Sequence, residues 1–90
     1  MQPSSQDLHP RTGARFVFDK LDEAPRYAVT VYLPGSDTWS AELAWVEGQA
    51  QLDASPTDPA VDWTHAEALK LARVLRRDPK DHMVRWRGEP

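Results

Sequence analysis

In residues 38–47 every second side chain is apolar, and this pattern constrains the fold more than any other feature of the chain. One side of the pattern is apolar: Trp39, Ala41, Leu43 and Trp45. A period of two predicts a β-strand with one buried and one wetter face. The pair Glu47-Gly48 follows, and residues 49–54 alternate again. We therefore expect a tight hairpin in which the glycine takes a positive φ.

Three further segments carry strand signals. Residues 15–21 alternate, and residues 26–33 are rich in the β-branched and aromatic side chains that favour strands. The pair Pro34-Gly35 lies between the second and third strands, where it predicts a turn. Residues 82–87 alternate once more. They predict a fifth strand, either at a sheet edge or beside the first strand.

A capping signal predicts one helix after the first four strands. Thr64 is followed three residues later by Glu67, which is the spacing of a capping box, so Thr64 is expected as the N-cap. The helix is then expected over residues 65–77, because Pro79 disfavours helical backbone in the residue before it. At 100° per residue one side of this helix is apolar: Ala68, Leu69, Leu71, Ala72, Val74 and Leu75. Three basic residues share the opposite side: Lys70, Arg73 and Arg77.

The element order ββββαβ favours an α+β fold of two layers. It consists of a four-stranded antiparallel meander, one amphipathic helix and a short C-terminal strand, and the helix and the apolar sheet face bury each other. We expect a flexible N-terminal tail over residues 1–12 and a single small domain over residues 13–88. The expected core draws on both layers: Phe16, Phe18, Val29, Val31, Leu33, Trp39, Leu43, Trp45, Leu52, Leu71, Leu75 and Trp86.

Composition excludes several classes of protein. The chain has 90 residues, enough for one domain, and its 40% hydrophobic and 28% charged content is typical of a globular protein. It has no cysteine, which excludes disulfides, thiolate metal sites and cysteine nucleophiles. No apolar run approaches the length of a transmembrane helix, and the N-terminus has no signal-peptide pattern. We expect a small soluble domain of bacterial type in the cytoplasm.

Candidate catalytic and metal-binding residues are scattered along the sequence. The glycines form no phosphate-binding loop, and no serine stands near a histidine in a nucleophile motif. Asp62 and His65 have a spacing that could bring two metal ligands together, with Asp58 nearby, but a zinc site needs three or four. The other two histidines, His9 and His82, are interpreted as solvated or packing side chains. Five carboxylates are candidates for an acid–base pair, but their positions on turns and on the outer sheet face favour a solvated acidic surface: Asp19, Asp22, Glu23, Glu42 and Asp53. The sequence therefore predicts a non-enzymatic protein without a cofactor or metal.

The net charge of −3 conceals an uneven distribution. Residues 1–69 carry four basic and eleven acidic side chains, whereas residues 70–87 carry seven basic and two acidic ones. A basic segment can neutralise phosphates, so one hypothesis is a nucleic-acid-binding module. Its contacts would come from both the helix and the fifth strand: Lys70, Arg73, Arg77, Arg85 and Arg87. Trp86 could stack on bases, but its phase with Val84 favours a place in the core.

The leading hypothesis is association with another protein. The sheet face away from the helix mixes apolar, hydroxyl and acidic side chains, and a partly apolar open face can bind a partner. The residues expected to take part come from that face and from the basic side of the helix: Tyr32, Val46, Lys70, Arg73 and Arg77. The partner is unknown, and by itself the chain is expected to be a monomer or a weak homodimer. No membrane partner is expected.

Overall fold

The alternating segments pair into one antiparallel sheet. The structure is a computed structural model that describes residues 10–22, 26–35 and 37–89. The strands and the helix have these bounds: β1 Ala14–Lys20, β2 Tyr27–Tyr32, β3 Thr38–Val46, β4 Gln49–Leu52, α1 Asp62–Arg77 and β5 His82–Arg87. The strand order is β4-β3-β2-β1-β5, so β5 is both at a sheet edge and beside the first strand. The α+β fold and the element order are confirmed. Of the expected tail, only residues 10–12 are described, and residues 1–9 lie outside the described residues.

The core lies between α1 and one face of the sheet. The register aligns Phe16 with Val31 and Phe18 with Val29, so the large apolar side chains of neighbouring strands stand side by side. The buried residues come from the sheet and the helix: Ala14, Phe16, Phe18, Tyr27, Val29, Val31, Leu33, Leu43, Thr64, Ala68, Leu71, Ala72, Leu75 and Met83. Trp39, Trp45 and Leu52 are partly buried against this cluster.

The placement of Trp86 in the core is wrong. Pairing with β1 sets Met83 opposite Phe18 and Trp86 opposite Arg15. Met83 is therefore 2% exposed beneath the helix, whereas Trp86 is 52% exposed on the other face. In β5 each of the two alternating sets of residues contains an apolar side chain, so the sequence pattern does not determine which set faces the helix. The pairing with β1 decides it, because a shift of one residue exchanges the two faces.

The expectation that Thr64 is the N-cap is also wrong. The helix begins at Asp62, and a short 3₁₀ helix, Pro59–Val61, leads into it. Backbone N–H groups at this junction are satisfied by 3₁₀-type bonds: Val61 N donates to Asp58 O, and Asp62 N donates to Pro59 O. The carboxylate that caps a helix here belongs to Asp58, which accepts a hydrogen bond from Ala60 N at 2.9 Å.

The predicted turn between β3 and β4 and the predicted end of the helix are both confirmed. Glu47 and Gly48 both have positive φ, the combination that closes a two-residue hairpin. Helix α1 ends at Arg77 before Pro79. Together these ends bring the C-terminal half of α1 close to the β3–β4 hairpin, where Arg76 donates a hydrogen bond to Gly48 O.

Candidate functional site

A groove of about 660 Å³ runs between α1 and the β3–β4 hairpin. The helix supplies one wall and the edge strand β4 the other. Its lining combines positive charge, one tryptophan and small side chains: Trp45, Gly48, Gln49, Ala50, Leu69, Arg73, Arg76 and Arg77. We call these residues the arginine groove.

The three arginines of this groove are exposed and are not neutralised within the described residues. Ion pairs elsewhere in residues 10–22, 26–35 and 37–89 join six pairs of side chains, and none of them includes Arg73, Arg76 or Arg77. Positive charge near a helix C-terminus interacts favourably with the helix dipole, which accounts for Arg76 and Arg77. Arg73 lies one turn earlier and repels both of them at helical spacings of three and four residues. The groove therefore concentrates positive charge beyond what the helix end requires.

An apolar pocket of about 270 Å³ adjoins the arginine groove. It shares Trp45, Gly48 and Arg76 with the groove and adds an apolar floor: Tyr27, Leu75 and Pro79. Trp45 and Tyr27 meet edge to face, with ring centroids 5.8 Å apart. The Tyr27 hydroxyl donates a hydrogen bond to Lys80 O at 2.9 Å, which holds the ring in place. We call this the tyrosine pocket. Groove and pocket together can accept an acidic side chain and an apolar one side by side.

The basic residues predicted from the sequence do not form one surface. Lys70 and Arg87 do not line the groove, and both pair with Glu67, whose carboxylate lies 3.8 Å from Lys70 Nζ and 3.4 Å from Arg87 Nε. Arg85 belongs to β5, at the sheet edge opposite to β4. Only two members of the predicted set, Arg73 and Arg77, line the arginine groove.

Tyr32 and Val46 lie on the sheet face that α1 does not cover, which we call the open face. They therefore do not share a surface with Lys70, Arg73 and Arg77. Val46 is 48% exposed near the hairpin turn. The open face also carries Trp86 and Val84, and Val84 is 41% exposed. In the register, Trp86, Arg15 and Tyr32 follow one another across three strands.

Arg76 is the residue of the groove that sequence reasoning missed. At 100° per residue it lies about 60° around the helix from Arg73, between the basic ridge and the apolar side. The signal was present, since Arg76 belongs to the same basic run as Arg77. Its role depends on the hairpin beside it, and so do the contributions of Trp45 and Ala50. A helical wheel contains no information about that neighbour.

The described histidines have structural neighbours. His82 Nδ1 contacts Asp19 Oδ1 on the adjacent strand, and the His65 ring stacks on Trp39 with centroids 6.2 Å apart. Within the described ranges, no cluster of three or more histidine and acidic side chains could hold a metal ion. The helix in this part of the chain is not long and apolar enough to cross a membrane.

Comparisons were made with protein-family models, with curated proteins and with solved structures. None of the three gives a match to this chain.

Proposed function

We propose that this protein is a non-catalytic binding domain that associates with another protein by holding an acidic segment of it in the arginine groove. One observation carries the proposal. Arg73, Arg76 and Arg77 stand on the wall of a groove, and no carboxylate of the described residues pairs with them. An acidic partner would supply the missing negative charge.

The chemistry of the site favours carboxylates on a polypeptide. Guanidinium groups present paired N–H donors that match the two oxygens of a carboxylate. The tyrosine pocket next to them is lined by Tyr27, Trp45 and Leu75, which suit an apolar side chain on the same segment. Arginine and aromatic residues are also the side chains most enriched in protein–protein interfaces.

A nucleic-acid-binding module is the alternative, and the charge arrangement makes it the weaker one. Binding along a phosphate backbone needs a continuous basic track. Glu67 pairs with Lys70 and Arg87, and Arg85 lies at the far sheet edge, so the basic groups fall into separate clusters.

The proposal is tested by titrating the isotope-labelled protein, observed by NMR, with a short peptide in which glutamate and threonine alternate and leucine is last. We expect amide shifts at Arg73, Arg76 and the β3–β4 hairpin, with an affinity that falls as salt is added. A matched peptide with glutamine for glutamate should bind weakly. An oligothymidylate of equal charge serves as the nucleic-acid probe. Binding of the oligothymidylate but not of the glutamate peptide would overturn the proposal.

Protein variants locate the contact. The double variant Arg73→Gln/Arg77→Gln should weaken binding of the glutamate peptide about tenfold, since two exposed ion pairs are lost. Arg85→Gln is the matched control at the other edge of the sheet, and its affinity should be unchanged. Equal losses in both variants would point to general attraction by positive charge and would contradict a specific groove.

A further inference from the structure

We infer that the acidic segment binds as an additional β-strand on the free edge of β4, an inference that rests on the proposed function. The hairpin register shows which groups of β4 are available. Gln49 pairs with Val46 across the two-residue turn, and Asp53 N donates to Glu42 O at 3.2 Å. In an antiparallel ladder, hydrogen bonds to one neighbour come from every second residue. Residues 49, 51 and 53 therefore direct their backbone groups towards β3.

The intervening residues, Ala50 and Leu52, direct their N–H and C=O groups away from β3. In the described part of the chain β3 is the only strand that pairs with β4, and no backbone hydrogen bond from a turn, loop or cap reaches Ala50 or Leu52. An unpaired strand edge is a template for another strand, and addition of a peptide strand is a common mode of recognition. Ala50 also lines the arginine groove, so this edge opens directly into the groove.

Strand addition explains how one segment could reach the arginines. Alternate side chains of an added strand would project to the helix side of the sheet, and their spacing would be about 6.6 Å. Those side chains face Arg73, Arg76 and Arg77 across the groove, whereas the others lie beside Gln49 and Gln51 on the open face. The geometry therefore selects a partner with acidic residues at every second position.

The other free edge, β5, is less suited to the same partner. Its open face carries His82, Val84 and Trp86, and Arg87 on its other face is already paired with Glu67 at 3.4 Å. Among the described residues β5 carries one arginine that no carboxylate pairs with, Arg85, whereas three such arginines lie together beside β4, so charge complementarity to an acidic segment favours β4.

A second copy of this chain does not fit as the occupant. Nowhere in the sequence are two acidic residues separated by a single residue. The alternating acidic pattern must therefore come from outside these 90 residues.

Backbone-modified peptides test the inference separately from the proposed function. The alternating glutamate–threonine peptide is compared with a peptide of the same composition whose glutamates are consecutive, and with forms N-methylated at one or the other set of alternate residues. We expect the alternating peptide to bind more tightly. One set of methyl groups should weaken binding about three- to tenfold for each hydrogen bond lost, whereas the other set, which faces solvent, should have little effect.

The protein side is tested with Ala50→Pro. This change removes an N–H that points outward and leaves the bonds of β4 to β3 intact, which an edge strand tolerates. Ala54→Pro, just beyond the strand, is the control. Weaker binding to Ala50→Pro but not to Ala54→Pro supports strand addition. If Ala50→Pro does not fold, the N-methylated peptides provide the test.

The outcomes separate strand addition from the proposed function. If glutamate peptides bind through the arginines but neither alternation, nor methylation, nor Ala50→Pro changes affinity, strand addition is wrong and the proposed function stands. If no glutamate peptide binds, the proposed function and strand addition are both wrong.

Discussion

The hydroxyl of Thr64 joins the start of α1 to the beginning of β3. It donates to Val61 O at 2.6 Å and accepts from Trp39 Nε1 at 2.9 Å, and the residue is fully buried. Because both partners lose a bond, Thr64→Val should lower the free energy of unfolding by about 1–3 kcal/mol, measured by urea denaturation. Thr57→Ala, in an exposed loop, should change it by less than about 0.5 kcal/mol.

Thr64→Asp distinguishes this role from that of an N-cap. Aspartate caps helices at least as well as threonine, so it would be tolerated at a capping position. At a buried position it places a carboxylate in the core, and the variant should be less stable than Thr64→Val. Stability equal to the unmodified protein would show that Thr64 caps the helix after all.

Gly13 is restricted by both its backbone and its neighbour. Its φ is +71°, and a Cβ there would lie 2.3 Å from the carbonyl oxygen of Arg87. Gly13→Ala should therefore cost more than the 1–2 kcal/mol or so of left-handed strain alone. Gly35→Ala is the matched control, since Gly35 has a φ of +83° and nothing within 4 Å of the added atom. Equal losses of thermal stability in the two variants would mean that the β1–β5 ends separate easily.

At the scale of the elements, β5 shows that neighbours in sequence can have opposite environments. Met83 lies under the helix and Val84 on the open face. We expect Met83→Ala to lower the free energy of unfolding by about 2–5 kcal/mol, because it leaves a cavity. Val84→Ala should cost less than about 1 kcal/mol, since Val84 is already 41% exposed and its truncation leaves no enclosed cavity. Urea denaturation of both variants checks this, and the reverse order would mean that β5 is shifted by one residue.

At the scale of the whole molecule, the described residues share one hydrophobic cluster, to which α1 and strands β1, β2, β3 and β5 all contribute fully buried side chains. Helix and sheet should therefore unfold together, as small domains with one core usually do. Circular dichroism reports the helix, and fluorescence reports the four tryptophans, of which Trp39, Trp45 and Trp63 pack against the core cluster. We expect coincident urea transitions by the two methods. Loss of the helical signal at lower urea would show that α1 unfolds independently.

The sequence by itself determined the elements whose signals are local. Period-two alternation predicted β3 and its hairpin partner, the Glu47-Gly48 pair predicted the turn, and the wide apolar arc predicted the buried side of α1. These signals are local because strand periodicity, helical periodicity and turn geometry each depend on a few consecutive residues.

The tertiary structure alone decided the features that depend on distant residues. Pairing with β1 turned Met83 inward and Trp86 outward, a choice that the mixed pattern of β5 left open. The approach of Trp39 gave Thr64 a buried hydrogen-bonding role in place of a cap. Packing of α1 beside the β3–β4 hairpin brought Arg73, Arg76 and Arg77 to one groove. Lys70 and Arg87 do not line that groove and pair with Glu67 instead. Charge and periodicity can be read from the sequence, but the contact partners of each side chain depend on which segments the fold brings together.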